Sequence, residues 1–144
     1  MQKLLIASDH AGFELKEKIK SYFLNIDWVD LGATSTDSVD YPDFADALAL
    51  ELKEDAKQRA VLICGSGQGM AIRANKYPHI RAALCYNNEI TELSRLHNDA
   101  NVLCLGSRFC ELDAATQMVK IFLNTEFEGG RHQRRVDKLS NAVN

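Results

Sequence analysis

The chain has 144 residues, enough for one domain that can bury a core without disulfide or metal staples. Hydrophobic residues make up 46% and charged residues 26%, and the formal net charge of -3 gives no basic excess to attract nucleic acid or an anionic membrane. No apolar stretch approaches the roughly 20 residues of a membrane span. The short run Met1–Ala7 lacks the longer core and cleavage site of a signal peptide, so a cytoplasmic protein with neither a membrane nor a nucleic-acid partner is expected.

In chain order, the first apolar run is Lys3–Ala7, and it leads into Ser8-Asp9-His10-Ala11-Gly12. An acid and an imidazole sit where a strand gives way to a predicted helix, Gly12–Leu24. Such a turn can hold a phosphate through backbone N–H groups, the helix dipole and a protonated histidine. The same residues equally suit a plain helix cap by Ser8 or Asp9. A second run, Trp28–Leu31, is followed by the polar loop 32–38. Tyr41-Pro42 then reads as an extended entry into a helix over Asp43–Lys57.

The third run, Ala60–Cys64, opens onto Cys64-Gly65-Ser66-Gly67-Gln68-Gly69-Met70. Three alternate glycines let the backbone turn sharply and bring its N–H groups close to a ligand, as a nest for a phosphate or an oxyanion. The spacing is neither the dinucleotide fingerprint, whose third glycine would fall on Met70, nor a phosphate loop ending in Lys-Ser/Thr. Cys64 stands at the head of this nest, before a helix predicted over Gly69–Lys76. A thiolate there suits removal of a proton alpha to a carbonyl, while a buried strand cysteine is the alternative.

The fourth run, Arg81–Cys85, precedes a helix over Glu89–Leu96 that ends in His97-Asn98-Asp99. His97 has the chemistry of a general acid or base and Asn98 that of a hydroxyl or enediolate ligand, yet both also suit a turn. The fifth run, Asn101–Leu105, is followed by Arg108, either an anion ligand or a surface arginine. A helix follows over Leu112–Leu123. A last helix starts near His132, where Arg131 and Arg135, at i and i+4, share a face as a candidate phosphate clamp.

Five apolar runs alternating with helices predict an α/β fold with a five-stranded parallel sheet, right-handed crossovers and helices on both faces. Ligands in such folds bind beyond the C-terminal ends of the strands. The four cysteines, Cys64, Cys85, Cys104 and Cys110, form no C-x-x-C pair or zinc-site spacing, which predicts free thiols in a reducing compartment.

Together, these residues resemble the ribose 5-phosphate isomerase B family, which also includes galactose-6-phosphate isomerase subunits. The resemblance is carried nearly end to end by Ser8-Asp9-His10-Ala11-Gly12, Asp40-Tyr41-Pro42, Cys64-Gly65-Ser66-Gly67, Ala74-Asn75-Lys76, Ser94-Arg95-Leu96-His97-Asn98-Asp99 and Gly130-Arg131-His132. It implies one sugar-phosphate isomerase domain over residues 1–144, folded as a three-layer α/β/α Rossmann-like sandwich. It implies an aldose–ketose isomerisation with no metal and no cofactor. It also implies a homodimer or dimer of dimers with shared active sites, the C-terminal helix touching the partner subunit. By the resemblance, Asp9 and His97 open the sugar ring, Cys64 is the base, and Ser66 helps to move protons between the two sugar oxygens. Gly65, Gly67 and Gly69 surround the oxyanion, and Asn98 and Tyr41 touch the substrate. His10, Arg108, Arg131, His132 and Arg135 form the phosphate set, some of the arginines coming from the neighbouring subunit.

One branch of the family has a glutamate as base where this chain has Met70, which cannot accept a proton; this favours Cys64. A free thiol is only a few per cent ionised at neutral pH, so the role requires a sulfur that ionises more readily than that. The rival readings are a six-carbon sugar phosphate as substrate, a non-catalytic sugar-phosphate sensor, and a nucleotide-binding module.

Overall fold

The computed structural model describes residues 2–53, 55, 57–141 and 143. Its elements alternate along the chain: β1 (Gln2–Ser8), α1 (Phe13–Tyr22), β2 (Ile26–Asp30), α2 (Tyr41–Glu51), β3 (Ala60–Cys64), α3 (Gln68–Ala74), β4 (Ala82–Leu84), α4 (Asn88–Leu96), β5 (Val102–Gly106), α5 (Leu112–Asn124) and α6 (Arg131–Leu139). The strands form one parallel sheet in the order β2-β1-β3-β5-β4. This is the five-stranded parallel sheet that the apolar runs predict.

The central strands are apolar on both sides because both faces are covered. Leu4 and Ile6 of β1, Val61 and Ile63 of β3, and Leu103 and Leu105 of β5 pack against Leu15 and Ile19 of α1 and Met118, Val119 and Phe122 of α5. The alternate residues Leu5, Ala7, Leu62, Cys64, Val102 and Cys104 meet Ala45, Leu48 and Ala49 of α2 and Met70, Ala71 and Ala74 of α3. The strict alternation along each strand produces the three layers.

Element ends differ from the sequence reading for identifiable reasons. The helix expected over Asp43–Lys57 begins at Tyr41, with the extended residue being Asp40, and Pro42 in the first turn, where its missing N–H costs nothing. It ends at Glu51, where Leu52 turns extended and buries itself in the second core; Glu54 and Ala56 of that expectation lie outside the described residues. β4 is shorter than Arg81–Cys85 because the Arg81 N–H donates to the Asn101 carboxamide instead of joining the strand ladder. The last helix starts at Arg131, which brings Arg131 into it.

One buried charge ties a helix to the edge strand and its loop. Lys16 of α1 is 1% exposed, and its Nζ donates to both Asp30 carboxylate oxygens (2.8 and 2.6 Å) and to the Ala33 carbonyl (2.8 Å). Lys20 adds a third bond to Asp30 (2.7 Å). The Asp30 carboxylate also accepts the Gly32 N–H, and the loop after β2 hydrogen-bonds Ser8 through Ser8 N–H to Gly32 O and Ala33 N–H to Ser8 O. Partial burial by itself would raise the Asp30 carboxyl, but Lys16 and Lys20 outweigh it and hold it below the usual carboxylate range.

A lowered folded-state value means stability that is present above the ordinary carboxylate range and lost as pH falls through the folded value. Asp30→Asn is therefore expected to lower stability at neutral pH and to flatten the acid limb of the stability curve. Urea midpoints measured from pH 7 down to pH 3 check this.

Candidate active site

β1 and β3 lie side by side at the centre of the sheet, yet the chain leaves β1 for β2 on one side and reaches β3 on the other. This is a topological switch point, where a crevice opens beyond the strand ends. The loops singled out in the sequence after these two strands meet there. The Asp9 N–H donates to the Ile63 carbonyl (3.2 Å), and the buried Asp9 carboxylate accepts the Gly12 N–H (3.0 Å). Asp9 thus satisfies the backbone N–H of Gly12, the residue that caps α1, and stands in the crevice. His10 Nδ1 accepts the Val39 N–H (3.1 Å), which puts the proton of the neutral ring on Nε2, a donor suited to an anion.

Cys64 ends β3 on the α2–α3 side of the sheet. Its Sγ receives the Gly67 N–H (3.2 Å), and Ser66 Oγ receives the Gln68 N–H (3.3 Å). The Gly67 N–H that the sequence assigns to an oxyanion nest is therefore engaged with sulfur. Gly67 adopts φ 79° as the residue before α3, a left-handed conformation that glycine adopts without a steric penalty. A Cβ on Gly69 would run into the Tyr41 ring, so Tyr41 covers the first turn of α3. Burial pushes the thiols of Cys85, Cys104 and Cys110 up and keeps them protonated. Met70 is fully buried in the second core as an apolar filler.

The third loop, after β5, locks the other two. The Ser107 N–H donates to Cys64 O (2.9 Å), the Arg108 N–H to Gly65 O (3.1 Å), and Ser107 Oγ to Ala11 O (2.8 Å). Gly106 lies against the Ser66 backbone, where an added Cβ would come within 2.7 Å. Arg108 spreads its guanidinium over Gly65, 3.3 Å from where a Cβ would be. The sequence reading passed over Gly106 and Ser107. The available signal was a glycine directly after a strand and beside the candidate Arg108.

The remaining candidates lie elsewhere. α4 runs back against the strand direction, so His97 and Asn98 follow its end at the N-terminal edge of the sheet. Ala60 at the start of β3 donates its N–H to Asn101, which marks that edge. β3 alone separates the two edges by about 13 Å, four steps of ~3.3 Å. α6 packs there too: the His97 and His132 rings stack at 4.3 Å and 15°, and the Glu128 N–H donates to Leu96 O (3.1 Å). Arg131 and Arg135 are exposed on α6, and Arg135 donates to the Arg131 carbonyl (3.2 Å). One chain therefore brings together Asp9, His10, Tyr41, Cys64, Gly65, Ser66, Gly67, Gly69 and Arg108, and separately His97, Asn98, Arg131, His132 and Arg135. Glu128, another residue the sequence reading passed over, lies 3.6 Å from His132 Nε2 and adds negative charge beside the arginines. A concavity of about 570 Å³ between Lys3, Arg59 and Glu126 contains none of these candidates.

Comparison with known proteins converges on one group. A family model described as Ribose/Galactose Isomerase matches residues 4–139. Ribose-5-phosphate isomerase B of Escherichia coli is 39% identical over 142 residues, covering 97% of this chain and 95% of that protein. Among solved structures, ribose 5-phosphate isomerase of Thermotoga maritima superposes with a TM-score of 0.93 at 46% identity, covering 96% of this chain and 97% of that one. Ribose-5-phosphate isomerase B of Mycoplasma genitalium, with bound ribulose-5-phosphate, superposes with a TM-score of 0.91 at 42% identity, covering 96% and 93%.

The close approach of Gly106 to Ser66 is backbone against backbone and has no flexible side chain to give way. Gly106→Ala is expected to cost about 1–3 kcal/mol of stability, as overpacking does. Chemical denaturation measures that loss, and turnover by the surviving folded fraction should also fall as the Cys64 loop shifts.

Proposed function

Since the chain belongs to the ribose/galactose isomerase family, we propose that it interconverts ribose 5-phosphate and ribulose 5-phosphate through a cis-enediolate, with Cys64 as the base. The observation that carries the reading is the crevice itself, where Cys64 at a strand end shares interlocked loops with Asp9, His10 and Arg108. A relative 42% identical to this chain binds ribulose-5-phosphate, which supports the five-carbon substrate.

The chemistry follows from what each group can hold or move. The closed sugar has to open before its aldehyde acidifies carbon 2, and Asp9 and His97 exchange the ring-opening protons. The Cys64 thiolate takes the carbon-2 proton. Negative charge builds on the sugar oxygen beside the glycine loop, where backbone N–H groups and Asn98 stabilise it; one such donor is typically worth ~2.7–4 kcal/mol of barrier. Ser66 passes a proton between the two sugar oxygens, and the Cys64 thiol returns its proton to carbon 1. The phosphate is fixed by His10, Arg108, Arg131, His132 and Arg135. Its binding energy goes into orienting the reacting carbons.

These assignments require two copies of the chain. His97, Asn98 and the α6 arginines stand at the opposite sheet edge from Cys64, so a partner subunit supplies them to each crevice. A homodimer, or a dimer of dimers, with sites built across the interface accommodates both groups. The reaction suits the non-oxidative branch of the pentose phosphate pathway in the cytoplasm.

The test is proton NMR of ribose 5-phosphate in D2O with chelator-treated protein. Ribulose 5-phosphate carrying solvent deuterium is expected. Cys64→Ala should abolish both turnover and exchange, and Cys64→Ser should lower kcat by roughly 10²–10⁴-fold, the usual worth of a positioned base. Turnover of galactose 6-phosphate or allose 6-phosphate in preference to the pentose would shift the assignment to a six-carbon substrate. No turnover of any of the three would leave a sugar-phosphate-binding protein.

Because the thiolate is the reactive form, kcat should also fall as pH drops below neutrality. A profile that stays flat while the carbon-2 proton transfer limits the rate would remove Cys64 from the role.

A further inference from the structure

Glu128, which the isomerisation does not use, stands against the two histidines at the N-terminal edge of the sheet. One ligand atom from each of His97, Glu128 and His132 lies within 4.8 Å of the other two. Glu128 Oε1 lies 3.6 Å from His132 Nε2. That nitrogen is shielded from solvent yet has no hydrogen-bond partner among the described residues. A buried, unpartnered imidazole nitrogen facing a carboxylate and a second imidazole is costly unless something occupies the space between them.

We propose that His97, Glu128 and His132 form a zinc site whose occupation withdraws His97 from catalysis. Two imidazoles and one carboxylate are the borderline-soft set that Zn²⁺ prefers, whereas Mg²⁺ and Ca²⁺ take oxygen ligands. With bonds of 2.0–2.1 Å, tetrahedral zinc holds its ligand atoms about 3.4 Å apart. The Glu128–His132 separation is already close to this, and Glu128 is exposed enough to adjust. The rings stack nearly parallel, so their lone pairs do not converge. Binding therefore turns the His132 ring out of the stack, and the stack gives way to a shared ion. Each histidine ligates in its neutral form, and a protonated ring releases its proton to solvent on binding. Three protein ligands leave the fourth position for water.

The inhibitory half rests on the role given to His97 above. An imidazole whose lone pair is on zinc cannot exchange protons with a sugar ring, so zinc acts as a reversible inhibitor.

The test is titration of the reduced, chelator-treated full-length protein with Zn²⁺ by calorimetry and with Co²⁺ as a spectroscopic probe. One ion per chain is expected, with visible d–d bands of low coordination number and perturbed ring signals of both His97 and His132 in NMR. Glu128→Gln should leave metal-free turnover unchanged and weaken binding by more than roughly tenfold, the lower end of what losing even an outer-shell partner costs. The zinc concentration that halves turnover should rise with it. No saturable binding, an unchanged affinity in Glu128→Gln, or a sulfur-to-cobalt charge-transfer band that puts the ion on Cys64 would each overturn the site. Zinc bound at this site without loss of turnover would overturn the inhibitory half and the ring-opening role of His97 with it.

Discussion

All five strands point the same way, and that constraint organises everything else in the molecule. A parallel sheet requires each connecting helix to run back, so every loop that follows a strand gathers at one edge and every loop that follows a helix gathers at the other. Asp9, Cys64 and Arg108 follow strands, while His97 and Arg131 follow helices or begin one at the far edge. The separation of the candidate groups is thus a consequence of strand direction and could not be removed by any adjustment of loops. On the reading proposed above, two copies of the fold packed so that one edge meets the other would restore a single site.

The crevice at the first edge is built with close backbone contact. Gly12 and Gly106 lie where a Cβ would strike Ile63 or Ser66, and Ser107 ties the β5 loop to both neighbours. Such contacts hold the Cys64 loop by backbone hydrogen bonds that need no bound ligand. The Lys16–Asp30 pair does comparable work one strand further out, fixing the loop that carries Gly32 and Ala33 against Ser8. The position of the sulfur is therefore set by the scaffold, and binding energy from the phosphate end remains for orienting the substrate.

Much of this was legible in the residues. The apolar runs around Leu4–Ala7, Ala60–Cys64 and Val102–Leu105 are long enough and apolar enough on both faces to read as covered parallel strands, and the loops after β1 and β3 declare themselves by Asp-His and by alternate glycines. Helix ends are harder to read: the helix over Tyr41–Glu51 starts earlier because a first-turn proline is harmless, and it stops where Leu52 turns extended and is buried in the second core. His97 was read as one more loop residue of the site. Its place at the opposite edge follows from the direction of α4, which the parallel sheet fixes and the His97 motif taken alone does not. Glu128 has no motif of its own, and its relation to His132 appears once α6 folds onto the end of α4.

The central claim is that each site draws Cys64 from one chain and His97 from another. The most direct measurement is complementation between Cys64→Ala and His97→Ala chains, each carrying a different affinity tag, co-expressed and purified through both tags. Each variant alone should be inactive, and the mixed dimer should recover about half the wild-type rate, because one of its two sites is intact and the other carries both lesions. Recovery of no activity in a folded mixed dimer would contradict the account, since it would place both groups in a site made by one chain.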